Sequence, residues 1–252
     1  MATAKDLIVK PISQKDAAVL VKRIHYSGKV TQNSQLHLGV FLNGRLEGAM
    51  QFGPSIDKRK MQGLVSGTGW NGFTELNRMA FSEALPRNSE SRALSIAFML
   101  IRKHYPQIEW VVSFADGTQC GDGTIYRASG FVLTACKKNT SLLLMPGGEI
   151  VCDKTLNDAK YRGPRGEMGS SIAKAAGAKA LSGFQLRYIY FLNPAARGRL
   201  TVPILPFSRI EEIGAGMYKG KKIMRTKEQD AGYHPALGGA TPTCTLHIED
   251  VK

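Results

Sequence analysis

The sequence has few acidic residues, no long apolar run and no closely paired cysteines. Of its 252 residues, 34 are Lys or Arg but only 20 are Asp or Glu, which leaves a formal net charge of +14 at pH 7. So large an excess of positive charge indicates a polyanionic partner or substrate. A chain of this length with 43% apolar residues is long enough to bury a sizeable core.

No apolar run is long enough to cross a bilayer. One of the longest, which contains Ala97 to Ile101, is far below the roughly 20 residues that a membrane-spanning helix needs. The opening MATAKDLIVKP lacks the apolar centre of a secretory signal. We therefore expect no membrane span and a cytoplasmic protein.

The four cysteines, at positions 120, 136, 152 and 244, include no CxxC pair. A zinc ribbon and a disulfide framework are therefore not indicated. We expect all four thiols to be reduced.

Apolar spacing predicts strands and helices in alternation from the start of the chain. DLIVKPIS predicts a strand, and Ser13 can cap a helix that ends beside His25 and Tyr26. Two apolar runs around the dipeptide NG at 43–44 predict an antiparallel hairpin. FTELNRMAF then predicts a strand with Leu76, Arg78 and Ala80 on one face.

A strand-helix-strand crossover follows. PRNSESRALSIAFMLIRKHY predicts a helix capped by Ser89 or Ser91, and IEWVVSFAD predicts a strand of the apolar kind found in buried parallel sheet. GTIYRASG predicts a short helix that stops at Gly130. Asp122 or Thr124 can cap that helix, so Asp122 has a structural interpretation.

Composition divides the chain into three regions. We expect residues 1–150 to form the core of the fold, and residues 151–206 to form a linker with additional strands packed on that core and a small exposed helix in SIAKAAGAKAL. Residues 207–252, rich in Gly, Lys and Pro, predict a basic, partly mobile C-terminal extension.

The order of elements resembles the layout of GNAT acyltransferases, and IYRASGF resembles their signature of a tyrosine, three residues and Gly-Phe. RIHYSGK, HLGVFLNGRLEGAMQFGP, ELNRMAFSEALPRNSESRAL, VVSFADGTQCGDGTIYRASGF and RYIYFLNPAARGRLTVPILPFS more closely resemble the Mom DNA-modification proteins of Mu-like bacteriophages. The resemblance implies an α/β, GNAT-like fold with a mixed, mostly antiparallel sheet, a central parallel strand-helix-strand unit and flanking helices.

The same resemblance implies an activity. It is conversion of the N6 amino group of adenine in double-stranded DNA to a carbamoylmethyl derivative, which shields phage DNA from host restriction. One rival interpretation is a conventional N-acetyltransferase of a protein or small amine. Another is a DNA-binding module without chemistry, since positive charge alone fits a DNA-modifying enzyme and a non-catalytic DNA-binding protein equally. The oligomeric state, monomer or homodimer, stays open.

Five residues are the candidate catalytic groups: His25, Tyr26, Arg78, Asp116 and Tyr126. Asp116 ends a buried strand, where ligands gather in parallel sheets, although an Asp-Gly turn is the competing interpretation. Arg78 lies in an apolar strand and needs an anionic partner, such as Asp116, a phosphate or a cofactor. Tyr126 stands where the resemblance places a general acid.

The loop PRNSESR stands where acetyltransferases cradle the pyrophosphate of acetyl-CoA. The usual glycines are absent, and Asn88 and Glu90 stand among the serines instead. Helix amides with Arg87, Ser89, Ser91 and Arg92 could still bind an anion, so acetyl-CoA is the candidate cofactor.

Iron is a second candidate cofactor. A carbamoylmethyl product joins N6 to a methylene carbon, so attack at a carbonyl is not the whole mechanism. The imidazole of His25, the phenol of Tyr26 and the carboxylate of Asp116 are ligand types that suit non-haem iron, although no HxD motif is present.

Contacts to DNA are expected from basic clusters and one aromatic ring. Trp70 could stack on an extruded base. The cations of these clusters are Lys58, Arg59, Lys60, Lys219, Lys221, Lys222 and Arg225.

Overall fold

The structure, a computed structural model, describes residues 2–117, 121–157, 163–164, 166–181, 183–214, 217–218 and 221–222. The strands are β1 Ile8–Pro11, β2 Leu36–Leu42, β3 Arg45–Gly53, β4 Phe73–Phe81, β5 Trp110–Asp116, β6 Val132–Lys138, β7 Leu142–Leu144, β8 Ile150–Cys152, β9 Lys179–Ala180, β10 Phe184–Phe191, β11 Met217–Tyr218 and β12 Lys221–Lys222. The helices are α1 Gln14–Ile24, α2 Lys58–Gln62, α3 Ser89–His104, α4 Thr124–Ala128, α5 Asp153–Leu156, α6 Gly169–Ala175 and α7 Ser208–Glu212, with 3₁₀ helices at Ala4–Asp6 and Pro194–Arg199.

The main sheet has seven strands in the order β1-β2-β3-β4-β5-β10-β6. Every neighbouring pair in it is antiparallel except β4 and β5, which are joined by the crossover helix α3. The mixed, mostly antiparallel α/β fold predicted from the sequence is therefore confirmed. β10, which the sequence predicted as one of the additional strands packed on the core, lies within this sheet between β5 and β6.

Helices cover both faces of the main sheet. On the face that we call the α3 face, α3 buries Leu94, Ala97, Phe98 and Ile101 against the strands, as its spacing predicts. The opposite face, which we call the α1 face, is covered by α1, by α2 and by the 3₁₀ helix Pro194–Arg199.

A β-bulge in β4 reverses the side-chain order that simple alternation predicts. Gln51 of β3 pairs with Arg78, while the next residue, Phe52, pairs with Leu76, so Asn77 is the extra residue. Leu76 packs in the core of the α3 face. Arg78 is therefore on the α1 face with Gln51, and the prediction that Leu76 and Arg78 share a face is wrong.

Two local predictions are confirmed by backbone geometry. Asn43 and Gly44 have φ values of 51° and 78°, the left-handed conformation that a two-residue hairpin turn requires. The hydroxyl of Ser13 accepts a hydrogen bond from the backbone N–H of Asp16 and so caps α1.

A small module separates β6 from β10. It consists of the three-stranded sheet β8-β7-β9 with α5 and α6, around a core of Leu143, Leu156, Ala173 and Ala178. For residues 151–206 the sequence predicted a linker, additional strands and a small exposed helix, but not a separate module with its own core. The chain leaves and re-enters the main sheet at neighbouring positions, because Asn139 donates a backbone hydrogen bond of 2.7 Å to Gly183.

The predicted C-terminal extension begins with a packed helix. Ile210 of α7 is 1% exposed and joins the core of the α3 face. Within the described residues, no helix combines the length and the apolar character that crossing a membrane demands.

Candidate active site

β4 and β5 separate towards their carboxyl ends. Their parallel ladder runs from the pair Phe73–Trp110 to the pair Glu75–Val112, although β4 continues to Phe81 and β5 to Asp116. The final residues of the two strands therefore frame an opening in the sheet, which is where α/β proteins place ligands.

Tyr26 and Asp116 meet at this opening on the α1 face. The hydroxyl of Tyr26 donates a hydrogen bond of 3.4 Å to Oδ2 of Asp116. The ring of Tyr26 also packs on that of His25, with 4.3 Å between the centroids. Three of the predicted catalytic side chains are thus in one cluster.

Arg78 joins this cluster by fastening the loop of residues 25–33 to β4. Its Nε donates a hydrogen bond of 2.9 Å to the backbone carbonyl of Lys29, and its Nη1 one of 2.6 Å to that of Asn77. The guanidinium is near enough to His25 to disfavour a positive charge on that ring.

His25 is a neutral imidazole. Burial, and secondly the charge of Arg78, lowers its pKa from 6.5 to about 3. The backbone N–H of Ser27 lies 3.2 Å from Nδ1 and its Oγ 2.9 Å away. Because an N–H can only donate, Nδ1 accepts here, and the ring proton is assigned to Nε2.

A buried polar pair beside Arg78 was missed by the sequence analysis. Nε2 of Gln51 lies 3.1 Å from Nδ1 of His37 on the neighbouring strand, and both residues are buried. Oε1 of Gln51 has no hydrogen-bond partner among the described residues. A histidine and a glutamine inside apolar strand runs are the signal that could have identified them.

Tyr126 lies on the other face of the sheet. Its ring packs between Phe131 and Tyr188, at centroid distances of 5.1 and 5.2 Å, in the core of the α3 face. The sequence predicts one pocket formed by Arg78, Ser91, Asp116 and Tyr126, with His25 and Tyr26 at its mouth. In the structure His25, Tyr26, Arg78 and Asp116 form a cluster on the α1 face, and Tyr126 belongs to the opposite face.

Asp122, in the loop between β5 and α4, has a structural role, although the N-cap of α4 is Gly123 and neither Asp122 nor Thr124 caps the helix as predicted. Its Oδ1 accepts hydrogen bonds from the backbone N–H and the hydroxyl of Thr124, at 3.0 and 2.6 Å. Its Oδ2 pairs with Arg127 at 3.3 Å. These contacts hold the first turn of α4, which carries Tyr126.

A cleft of about 480 Å³ opens at the start of α3 on the α3 face. Of the four predicted cofactor residues, Ser91 and Arg92 line it. Ser89 is fully buried and its hydroxyl donates to the carbonyl of Pro86 at 2.5 Å, and Arg87 is not among the lining residues. The full lining is Ala4, Lys5, Asn88, Ser91, Arg92, Ser95, Phe98, Ala128, Ser129 and Tyr190.

Asn88 supplies the backbone turn that glycine usually makes in such loops. Its φ of 68° is left-handed, a conformation that asparagine tolerates better than most residues. Neither serine caps α3 as predicted, because the hydroxyl of Ser91 donates to the carbonyl of Asn88. Among the described residues, no side chain caps the start of α3, and the backbone N–H of its first residue, Ser89, donates to the carbonyl of Pro86 at 3.2 Å.

The iron prediction gains no support from the described residues. Among them, no three His, Cys, Asp or Glu side chains are grouped closely enough to hold a metal ion. His25 and Asp116 contribute two such groups, and Tyr26 a phenol. Cys136 and Cys152 are free thiols away from this cluster.

The basic helix α2 lies on the same face as the cluster around Asp116. It packs through Met61 onto Trp110 and Val112, while Arg59 and Lys60 are exposed. Lys58 differs, because its Nζ lies 4.3 Å above the ring centroid of Trp70 and 3.1 Å from Oδ1 of Asn71.

Of the remaining predicted DNA contacts, Trp70 is 53% exposed. Lys221 and Lys222 form β12, which pairs with β11. Lys219 and Arg225 lie outside the described residues.

This architecture is a mixed α/β domain with the acyltransferase layout that the sequence predicts. A model of the Mom protein family matches residues 6–209, so the chain belongs to that family. It is 39% identical over 202 residues to "Methylcarbamoylase mom" of Escherichia phage Mu. The aligned residues cover 80% of this chain and 82% of that protein.

Solved structures show more distant likenesses. An N-acyl amino acid synthase from uncultured soil microbes has a TM-score of 0.44 at 13% identity, over 77% of this chain and 95% of its own. The ribosomal-protein-S18-alanine N-acetyltransferase of Escherichia coli has a TM-score of 0.42 at 10% identity, over 74% of this chain and 94% of its own.

Proposed function

We propose that this protein modifies phage DNA by joining a carbamoylmethyl group to N6 of adenine, and so protects the DNA from restriction. The observation that carries the proposal is the cluster of His25, Tyr26, Arg78 and Asp116 at the opening between β4 and β5. The name of the phage Mu relative and the net charge of +14 support it.

Asp116 is the group that takes the proton in this proposal. The N6 lone pair is delocalised into the purine ring, so the amine must lose a proton as its new bond to carbon forms. A carboxylate within hydrogen-bond reach of N6 can accept that proton. The hydroxyl of Tyr26 fixes the orientation of Asp116 through the 3.4 Å contact.

His25 and Arg78 shape the same cluster without exchanging a proton. With a pKa near 3, His25 is neutral at working pH and its Nε2–H is a donor for a purine nitrogen or a carbonyl oxygen. Arg78 holds the loop that carries Tyr26 through the carbonyl of Lys29.

The target base must leave the duplex to reach this cluster. α2 lies on the α1 face, so Arg59 and Lys60 can contact the DNA backbone beside the opening. The exposed part of the Trp70 ring offers a stacking surface.

Acetyl-CoA is the proposed donor-side ligand, in the cleft at the start of α3. Arg92 and Lys5 bring positive charge, and the first N–H groups of α3 add the helix-terminal field that favours a phosphate. Tyr126, carried by α4 beside that cleft, is the proposed general acid that protonates the CoA thiolate when an amine nitrogen displaces it at the thioester carbonyl. Bonding the acetyl methyl carbon to N6 of adenine is a separate step that removes two electrons, so it requires an oxidant besides acetyl-CoA. Iron at His25, Tyr26 and Asp116 stays a prediction, tested by metal analysis of anaerobically purified protein.

Mass spectrometry of nucleosides from cells that express the protein tests the proposal. We expect deoxyadenosine with one added carbamoylmethyl group, lost in Asp116→Ala and retained in the exposed control Arg45→Gln. Acetylated protein with unmodified DNA would instead identify a conventional N-acetyltransferase, and DNA binding without any product a binding module. Protection is tested by digesting the same DNA with a restriction enzyme whose site contains the modified adenine.

A further inference from the structure

Arg187 is a buried cation that the site described so far does not use. It lies in β10 and is 8% exposed, and burial lowers its pKa. Among the described residues, no carboxylate forms an ion pair with it. A buried charge without an anion is costly, so a fold that keeps one usually supplies the anion from a ligand.

Thr134 holds the guanidinium in a fixed orientation. Nε of Arg187 donates to the hydroxyl of Thr134 at 3.0 Å, and Nη2 donates to its backbone carbonyl at 3.2 Å. Nη1 has no hydrogen-bond partner among the described residues, yet it is not closed off from solvent. One edge of the fork is therefore oriented by the protein and the other is available to a ligand.

Strand register places Arg187 beside the candidate active site. Arg187 pairs with Phe114 of β5, while Asp116 pairs with Gln185, two residues away on β10. Arg187 and Asp116 are thus diagonal neighbours on the α1 face, at a spacing that long side chains can span.

We propose that Arg187 forms an oxyanion subsite on the α1 face that binds one backbone phosphate of DNA next to the target nucleotide. This inference rests on the proposed function for the source of the phosphate. DNA is favoured over the acyl donor because the cleft at the start of α3 lies on the opposite face. The exposed cations of α2 share the face of Arg187.

Phosphate interference tests the subsite. A set of DNA duplexes, each with one neutral methylphosphonate near the target adenine, is titrated with wild-type protein, Arg187→Gln, Arg187→Lys and the exposed control Arg45→Gln. We expect one methylphosphonate to weaken wild-type binding by about tenfold, as for a hydrogen bond to a charged group. Both Arg187 variants should bind unmodified DNA about tenfold more weakly than the wild type, and the methylphosphonate at that position should weaken their binding no further. The slope of binding affinity against salt concentration should fall by the equivalent of about one phosphate contact.

Folding is kept separate from binding. Thr134→Val leaves the cation in place and removes the hydroxyl that accepts from Nε and donates to the carbonyl of Arg187 at 3.2 Å. It should reduce the effect of the methylphosphonate at that position, while its circular dichroism stays that of the wild type. Folded variants with the wild-type interference pattern would overturn the proposal.

A second arm does not depend on DNA. Orthophosphate should raise the Tm of the wild type relative to chloride at equal ionic strength, and Arg187→Gln should abolish that rise. Failure of the wild type to bind DNA, with this phosphate effect intact, would count against the proposed function while leaving the subsite. Absence of both effects would overturn the subsite.

Discussion

The phenol oxygen of Tyr26 lies 3.4 Å from Oδ2 of Asp116, across 90 positions of sequence. One residue follows the end of α1 and the other ends β5. Their contact is made on the α1 face, at the opening between β4 and β5 where the proposed function places the proton acceptor.

Tyr26→Phe removes only the hydroxyl that donates to Asp116. We expect the rate of DNA modification to fall by about tenfold or more, because a hydrogen bond to a charged group contributes about 1.5–3 kcal/mol. The Tm should be close to that of the wild type. Nucleoside mass spectrometry over a time course measures the rate, and Tyr105→Phe, at an exposed tyrosine at the end of α3, is the matched control. Equal rates in the two variants would contradict a role for the hydroxyl.

Arg78→Lys keeps the positive charge but loses the Nε hydrogen bond to the carbonyl of Lys29. The loop of residues 25–33 should then open more often, and its backbone amides should exchange hydrogen faster than in the wild type. Hydrogen exchange read by mass spectrometry measures this. Arg45→Lys, at a side chain that is 85% exposed, should leave the loop unchanged. Unaltered exchange in Arg78→Lys would show that the loop is fastened elsewhere.

The low pKa of His25 makes stability depend on pH. The folded pKa is about 3 and the ordinary value is 6.5, so between these values the unfolded chain binds the extra proton. The contribution of His25 is full above pH 6.5, and stability falls by up to about 1.4 kcal/mol per unit as the pH drops below it. Urea unfolding from pH 4.5 to 7.5 measures this slope.

His25→Gln should reduce that slope, and His104→Gln, at an exposed position at the end of α3, should not. A smaller slope remains in His25→Gln because burial also lowers the pKa of His37. Identical slopes in wild type and His25→Gln would show that the ring is not buried as a neutral group.

Gly123→Ala should be more costly than a left-handed glycine alone explains. Gly123 has a φ of +77°, and a Cβ there would lie 2.6 Å from Cε2 of Tyr188. Gly148 has a φ of +87° with no atom within 4 Å of its Cβ position. We expect Gly148→Ala to cost about 1 kcal/mol and Gly123→Ala at least about 2 kcal/mol, because the ring of Tyr188 must also move. Chemical denaturation compares the two, and equal losses would refute the steric argument.

Local patterns predicted the elements well because each depends on neighbours in sequence. The hairpin at Asn43, the cap at Ser13 and the apolar face of α3 all follow from spacing of a few residues. The orientation of Arg78 did not follow, because the bulge at Asn77 is decided by pairing with β3. The place of β10 between β5 and β6 depends on contacts across the whole chain, and no short pattern encodes it.

Only part of the candidate site was predicted, because the rest depends on contacts between strands that are distant in sequence. His25, Tyr26 and Asp116 were identified by residue type and resemblance, and the fold brings them together. The buried pair of His37 and Gln51 and the cation of Arg187 were missed, since their roles arise from register between strands. A charged residue inside LRYIYFL was the one visible sign of Arg187.

The module between β6 and β10 begins and ends at adjacent rungs of the same ladder, since Lys138 pairs with Phe184. Because the two ends of this inserted segment are adjacent, a tight turn could replace it without changing the strand order of the main sheet. The segment can therefore vary in length and shape without altering the α1 face.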